Sequence, residues 1–122
     1  MPTMTTMIET KKILSGKSDG ITRLLRQGCP YQPGQNLLLA YDEPVTHNQV
    51  PYAMVQIRSI RPGSVGERKH DDRLAKMEGF TNGSAWYNHF RQLYGDSDPS
   101  AQCHRIQFTV IKLYEEALKS VR

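Results

Sequence analysis

Lys17, Ser18 and Thr22 place an amine and two hydroxyl groups in one short segment that ends with Arg23. A lysine in this position can hold a phosphate, or act as a base if desolvation lowers its pKa. A hydroxyl becomes a nucleophile when a neighbouring base activates it. Arg23 can bind a phosphate or pair with a carboxylate. The alternative interpretation of the segment is a solvated turn with a capping serine.

Glu78 is a second candidate for chemistry because it comes at the end of a predicted helix, between Met77 and Gly79-Phe80. The helix dipole opposes a negative charge at a helix C-terminus, and an apolar neighbourhood raises the pKa of a carboxyl group. A raised pKa suits a carboxyl group to proton transfer. The alternative is a solvent-facing glutamate with no role.

Aromatic residues in the predicted helix that follows offer another possible site. Trp86 and Phe90 lie four residues apart, which is typical of the buried face of a helix, so we assign both to the core. Tyr87 lies on a different face of that helix, with His89 and Arg91 on the same element. If Tyr87 is exposed, its ring can stack on a nucleic-acid base.

Four basic residues bracket one predicted strand-to-helix loop: Arg58, Arg61, Arg68 and Lys69. Such clusters bind phosphates without sequence preference, although they are also common on solvated surfaces. The net charge of +4 is compatible with an anionic partner such as RNA, but many proteins that bind no nucleic acid share it. Arg58 and Arg61 are therefore candidate nucleic-acid-binding residues.

The length and composition indicate one cytoplasmic domain over residues 1 to 122. No apolar run approaches the roughly 18 residues of a membrane-spanning helix, and the N-terminus does not look like a secretory signal. Cys29 and Cys103 are predicted to be reduced thiols. The four histidines include no pair at helical ligand spacing, so we expect no metal site and no cofactor.

Hydrophobic periodicity and turn residues predict a mixed α+β domain, in which helices are grouped between strands. The predicted elements are a short helix from Met7 to Gly16, a strand at 21–25, a loop at 28–34, strands at 36–41 and 52–60, a break at Arg61-Pro62-Gly63, a helix at 66–78 ended by Gly79, a helix capped near 82–84, a strand at 104–113 and a C-terminal helix at 114–122.

These segments, in this order, resemble the ASCH domain, a small β-barrel related to the PUA fold. The first match runs from Ile13-Leu14-Ser15-Gly16-Lys17 to Arg23, and the second is Tyr31-Gln32-Pro33-Gly34-Gln35 before an apolar strand. The segment from Ala75 to Phe80 resembles the family's helix that ends in an acidic residue, glycine and phenylalanine. The aromatic helix from Trp86 to Tyr94 resembles the helix that follows it in the family. The resemblance covers roughly residues 8 to 113.

The resemblance implies a PUA-like mixed β-barrel of five or six strands with flanking short helices. It also implies a cleft between the barrel and the first helix. In small bacterial ASCH proteins that remove acetyl groups from N4-acetylcytidine, a lysine, a threonine and a glutamate are catalytic. Lys17, Thr22 and Glu78 would take these roles here, with Ser18 as an alternative to Thr22. The spacing from Lys17 to Arg23 is one residue longer than in the usual motif, and Asp19-Gly20 resembles an insertion.

Three functional hypotheses follow. The leading one is binding of RNA or a modified nucleoside in the cleft, through Lys17, Arg23, Arg58, Arg61 and Tyr87. The second is an enzyme, either an amidohydrolase acting on N4-acetylcytidine-like nucleosides or a ribonuclease, in which Thr22 or Ser18 attacks, Lys17 is the activating base and Glu78 moves the proton. The third is an interaction protein that keeps the fold without the activity. The inserted residues favour the first and third hypotheses.

Overall fold

A computed structural model describes residues 2–6, 9–25, 28–43, 45–95 and 98–114. Within these residues the chain forms five strands and four short helices. In chain order they are β1 (Thr3–Thr6), α1 (Glu9–Leu14), β2 (Gly20–Arg23), β3 (Asn36–Asp42), β4 (Gln49–Ser64), α2 (Val65–Lys69), α3 (Asp72–Met77), α4 (Gly83–Tyr94) and β5 (Gln102–Leu113).

The strands form one mixed sheet in the order β1-β3-β4-β5-β2. Only β1 and β3 pair in parallel, while the other neighbouring strands are antiparallel. The long strand β4 pairs with β3 along its first half and with β5 along most of its length. The sheet curls into a half-barrel, and the α+β, PUA-like architecture expected from the sequence is confirmed.

One face of the sheet holds the main core. Alternate residues of β3 and β4, including Leu37, Leu39, Val55 and Ile57, are fully buried there beside Ile106 of β5. The alternation follows from strand geometry, which points every second side chain to the same face. A second cluster packs the helices against the other end of the sheet and consists of Val65, Ala75, Trp86, Phe90 and Cys103.

The prediction that Arg61-Pro62-Gly63 ends the strand is wrong, because β4 continues to Ser64. Pro62 pairs with His104 of β5, and the pairing of β4 with β3 extends only as far as Gln56. Beyond that point one side of β4 has no strand neighbour among the described residues. A proline is tolerated on such an edge because its missing N–H would have no ladder partner.

The single helix predicted over residues 66 to 78 is also wrong, because the structure has two helices that break at His70-Asp71. The Asp71 side chain accepts a hydrogen bond from the Leu74 N–H at 3.1 Å and so caps α3. An aspartate inside an apparently periodic segment favours a new helix start over continuation. The periodicity of the charged segment did not reveal that break.

Several local predictions are confirmed. Gly16, with a φ of +76°, follows α1, and Gly79, with a φ of +86°, follows the end of α3. Asn82 caps α4 by accepting a hydrogen bond from the Ala85 N–H at 2.9 Å. The predicted C-terminal helix lies outside the described residues beyond Tyr114. None of the described helices is long and apolar enough to cross a membrane.

Arg23 connects the two edges of the curled sheet. Its guanidinium donates to the backbone oxygen of Thr22 in its own strand β2 at 3.2 Å and to that of Thr5 in β1 at 3.2 Å. It also donates to the Glu9 carboxylate at the start of α1 at 2.5 Å. The sheet order places β1 and β2 at opposite edges, so one buried side chain links both edges and the first helix.

Replacing Arg23 by methionine will lower the free energy of unfolding by about 3–5 kcal/mol, because it leaves the Glu9 carboxylate buried without its main cation. The exposed Arg61 is the matched control, and Arg61→Met is expected to change stability by about 0.5 kcal/mol or less. Urea denaturation followed by circular dichroism measures both. Equal small losses in the two variants would contradict a structural role for the Arg23 contacts.

Candidate functional site

Thr22 and Glu78, two of the residues singled out in the sequence, are in direct contact. The Thr22 hydroxyl donates a hydrogen bond to Glu78 Oε2 at 2.8 Å. Thr22 lies on β2, and Glu78 is the C-cap of α3. The exposed fraction is 4% for Thr22 and 5% for Glu78, so the pair is shielded from bulk water. A hydroxyl held by a carboxylate is the arrangement in which a base activates a nucleophile.

Burial controls the protonation of Glu78. Loss of solvation raises the pKa of its carboxyl group to about 7, although the hydrogen bond from Thr22 and the positive charges of Arg105 and Arg68 act in the opposite direction. The negative charge of Glu9 adds to the increase. At neutral pH the carboxyl group therefore exists in both its protonated and its ionised forms, and it can donate or accept a hydrogen bond.

Arg105 of β5 is the cation closest to this carboxylate. Its Nε lies 3.3 Å from Glu78 Oε2, and its Nη2 donates to Asp19 Oδ1 at 2.6 Å. A side chain on Gly20 would overlap the Ile106 backbone oxygen and crowd the Arg105 guanidinium. The inserted Asp19-Gly20 pair thus has a structural role, since Asp19 holds Arg105 and Gly20 leaves room for it.

A second buried guanidinium belongs to Arg68 of α2. It donates from Nη2 to the backbone oxygen of Arg61 at 3.2 Å. A Cβ atom at Gly63 would lie only 3.1 Å from Arg68 Nε, so the absence of a side chain at Gly63 gives the guanidinium its position against β4. The positive charge of Arg68 acts on both Glu78 and the thiol of Cys103.

His89 and Glu9 extend the buried polar cluster towards α1. His89 Nε2 lies 3.5 Å from Glu9 Oε2, and the imidazole stacks on Phe80 with 5.3 Å between ring centroids. Glu9 therefore stands between His89 and Arg23. We name the whole set the buried polar cluster, and its members are Glu9, Thr22, Arg23, Arg68, Glu78, His89 and Arg105.

Several buried nitrogen atoms of this cluster make no hydrogen bond within the described parts of the chain: Arg68 Nη1, Arg105 Nε, and both ring nitrogens of His89. Arg105 Nε and His89 Nε2 each have a carboxylate oxygen nearby, at 3.3 Å and 3.5 Å. Buried polar atoms nearly always have a hydrogen-bond partner, and an unpaired one costs about 1–3 kcal/mol. A further polar group that presents oxygen or nitrogen lone pairs would give these atoms hydrogen-bond partners.

The other residues of the predicted catalytic segment do not join Thr22 and Glu78. Lys17 is exposed, and no contact among the described residues connects its side chain with either of them. Ser18 is buried, but its hydroxyl donates to the Gly20 backbone oxygen at 2.7 Å and stabilises the turn. A different lysine is close by, since Lys12 Nζ donates to the Gly79 backbone oxygen at 2.8 Å.

The predicted nucleic-acid-binding residues are dispersed over several parts of the fold. Arg23 is buried in its pair with Glu9, whereas Arg58 and Arg61 are exposed on β4. Arg58 Nε donates to the Thr109 hydroxyl at 2.8 Å. Tyr87 is half-buried on the outer side of α4. These four residues do not form one continuous group of contacts among the described residues.

Sequence reasoning missed Arg105 and Glu9. Arg105 lies between the buried residues Cys103 and Ile106 in β5, and two-residue alternation places it on the face of Gln107 and Thr109. Glu9 lies in the first turn of α1, where an acidic residue is unremarkable because it complements the helix dipole. No local signal distinguished either residue.

Solved structures with a similar fold include two ASCH domains. The ASCH protein of Zymomonas mobilis has 15% sequence identity and a TM-score of 0.62 over 98% of this chain and 77% of its own. The ASCH domain of Lactobacillus crispatus has 14% identity and a TM-score of 0.56 over 82% of this chain and 68% of its own. The chain has an ASCH-like fold.

A DUF984 protein from Enterococcus faecalis also has a fold similar to that of this chain. It is 17% identical, with a TM-score of 0.65 over 89% of this chain and 70% of its own. No protein-family model matches the sequence, and no curated protein sequence matches it significantly. The described residues contain no group of three or more His, Cys, Asp or Glu side chains that could hold a metal ion.

The buried Glu78 predicts a specific pH dependence of stability. In the folded protein the Glu78 carboxyl group keeps its proton up to about pH 7, whereas in the unfolded chain it releases the proton near pH 4.5. Between these values the folded state binds more protons, so raising the pH lowers stability, by about 3 kcal/mol in total. The free energy of unfolding of wild type should therefore fall by about that amount relative to Glu78→Gln as pH rises through this window.

Urea denaturation of both proteins at several pH values measures the difference, and the contributions of all other titrating groups largely cancel in it. The two curves are expected to run parallel again above about pH 8. Parallel curves throughout the range would show that Glu78 titrates as an ordinary exposed glutamate.

Proposed function

We propose that the protein binds RNA or a modified nucleoside, with the base against Thr22, Glu78 and Arg105. Support for this class of ligand comes from the resemblance of the sequence to ASCH domains and from the ASCH-like fold. The net charge of +4 is consistent with a phosphate-bearing partner. Binding, rather than chemistry, is the primary proposal because Lys17 does not meet the Thr22–Glu78 pair.

The observation that carries the proposal is the set of nitrogens in the buried polar cluster that make no hydrogen bond. Arg68 Nη1 is a buried donor without an acceptor in the described chain, and Arg105 Nε has only its 3.3 Å ion-pair contact with Glu78 Oε2. The carboxyl group of Glu78 adds a group that both donates and accepts near neutral pH. The edge of a nucleobase offers the complementary mixture of acceptors and donors, which is how proteins recognise unpaired bases.

The phosphates of a longer RNA would need cations outside the cluster. Lys17, Arg58 and Arg61 are exposed and can supply them, although Arg58 also bonds Thr109. Arg23 is a poor candidate because a phosphate would have to replace Glu9, from which it is separated by only 2.5 Å. In this proposal Arg23, the arginine at the end of the ASCH-like motif, therefore stabilises the fold around the binding site.

Hydrolysis is a second candidate function, and the hydrogen bond between Thr22 and Glu78 favours it. In this mechanism the Thr22 oxygen attacks the carbonyl carbon of an amide on the base while the ionised Glu78 carboxylate takes the hydroxyl proton. Glu78 then gives the proton to the departing amine as the carbon–nitrogen bond breaks. Water, deprotonated by the same carboxylate, cleaves the acyl-threonine and restores the hydroxyl group.

Glu78 would perform both proton transfers in this mechanism. Its pKa of about 7 suits these two roles, because a base and an acid are both present at neutral pH. Lys17, the base of the original hypothesis, would be dispensable. Arg105 would hold the carboxylate in place through its 3.3 Å contact.

Nucleoside binding tests the primary proposal. Titration calorimetry with cytidine and N4-acetylcytidine should give affinities that fall about tenfold in Thr22→Val, because that variant keeps the side-chain shape and loses one buried hydrogen bond. Thr3→Val makes the same substitution at an exposed strand position and should bind like wild type. Unchanged affinity in Thr22→Val, or no nucleoside binding by wild type, would contradict the proposal that the base lies against Thr22.

Release of acetate from N4-acetylcytidine distinguishes the two candidates. If the protein is a hydrolase, Thr22→Val abolishes turnover, Thr22→Ser restores part of it, and Glu78→Gln lowers the rate about 10²–10⁴-fold. Lys17→Gln should retain activity. Nucleoside binding without acetate release would identify a binding protein, and the absence of both would favour an interaction protein that shares only the fold.

A further inference from the structure

The outer face of α4 carries a pocket that is separate from the buried polar cluster. Its volume is about 290 Å³, and its lining residues are Lys69, Ser84, Tyr87, Asn88 and Arg91. The four residues from α4 follow the spacing i, i+3, i+4 and i+7, which places them on one face of the helix. We name this site the α4 pocket.

Close packing of two helices brings Lys69 to the α4 pocket. Lys69 is the last residue of α2, and a side chain at Gly83 would overlap its backbone oxygen. Gly83 therefore allows the end of α2 to lie directly against the start of α4. The Gly83 N–H also donates to Asp72 Oδ1 at 2.8 Å, which fixes the start of α3 at the same point.

The ring of Tyr87 contacts two cations. Lys69 Nζ lies 4.6 Å from the centroid of the Tyr87 ring, and Arg91 Cζ lies 5.8 Å from it. The face of an aromatic ring attracts cations, so the phenol ring helps to hold each of them at the pocket. Of the five residues that line the pocket, none is acidic.

These groups match a phosphate. An ammonium, a guanidinium, a hydroxyl and an amide supply N–H and O–H donors, and the two charged groups make the strongest of these hydrogen bonds. The volume is near the lower end of the range for small-molecule sites, about 300 Å³, and exceeds what one phosphate ion fills. The remaining space leaves room for the sugar of a nucleotide beside its phosphate.

We infer that the α4 pocket binds the phosphate group of a nucleotide through Lys69 and Arg91, with Ser84 and Asn88 as further hydrogen-bonding groups. This inference concerns a second site and does not depend on the proposed function, because it uses no residue of the buried polar cluster. The ligand is either a free mononucleotide or a nucleotide unit of a bound RNA, since both present the same chemistry.

Titration calorimetry with AMP, adenosine and inorganic phosphate at two salt concentrations tests the inference. AMP should bind more tightly than either fragment, and its affinity should fall as salt increases. Lys69→Gln and Arg91→Gln should each weaken AMP binding about tenfold, because each removes one charged donor. Lys76→Gln removes the same charge from an exposed position of α3 outside the pocket and is the matched control.

Two further arms identify the source of the ligand and separate this site from the first. A short single-stranded RNA that competes with AMP would place a nucleotide unit of RNA in the pocket, and failure to compete would assign it to free mononucleotides. Lys69→Gln should weaken AMP binding and leave cytidine binding unchanged, because cytidine carries no phosphate. AMP binding that is lost in Thr22→Val but kept in Lys69→Gln would overturn the inference.

Three other results would also overturn it. These are no AMP binding by wild type, the same loss of affinity in Lys76→Gln as in Lys69→Gln, and equal affinity for AMP and inorganic phosphate. Binding of a glutamate-rich peptide to the pocket in place of AMP would instead identify an acidic protein segment as the ligand and would contradict a nucleotide.

Discussion

The position of the Arg23 guanidinium is the constraint on which much of this structure depends. The curled sheet leaves β1 and β2 as edges, and Arg23 donates to a backbone oxygen in each. The Glu9 carboxylate compensates its charge and anchors α1 beside the same edges. Because both charges are buried, removing either one deprives the other of its shortest ion pair, so the two edges and the helix are held in one arrangement.

The same buried environment gives the candidate site its chemistry. Thr22 is the neighbour of Arg23 on β2, and it meets Glu78 because α3 ends beside that strand. The exclusion of water that raises the pKa of Glu78 also strengthens its interactions with Thr22 and Arg105. The residues of the candidate site and those that hold the fold together therefore belong to one network. Some of its buried nitrogens make no hydrogen bond within the described chain.

The two faces of helix α4 lie in different environments. One face places Trp86 and Phe90 in the second core cluster and brings His89 to Glu9. The opposite face presents the α4 pocket with Tyr87 at its centre. Gly83 permits the close approach of α2 that completes the pocket with Lys69. A single amphipathic helix thus connects the interior network with a basic surface site.

The sequence by itself determined the elements whose signals are local. The Gly16 and Gly79 helix ends, the Asn82 cap and the alternating apolar residues of β4 depend on backbone conformation and on one buried face, and these leave a periodic pattern. The α+β class and the resemblance to ASCH domains followed from the order of these segments. The candidates Thr22 and Glu78 were found in the same way.

Only the tertiary structure decided which of the candidates meet. It joined Thr22 to Glu78 across 56 positions of the chain, placed Lys17 in solvent, and brought in Arg105, which no local pattern had marked. In the tertiary structure β4 also continues through Pro62, because the strand does not pair with β3 at that point. The reason is common to all these cases: burial, ion pairing and edge position are properties of contacts between distant segments, and local periodicity does not record them.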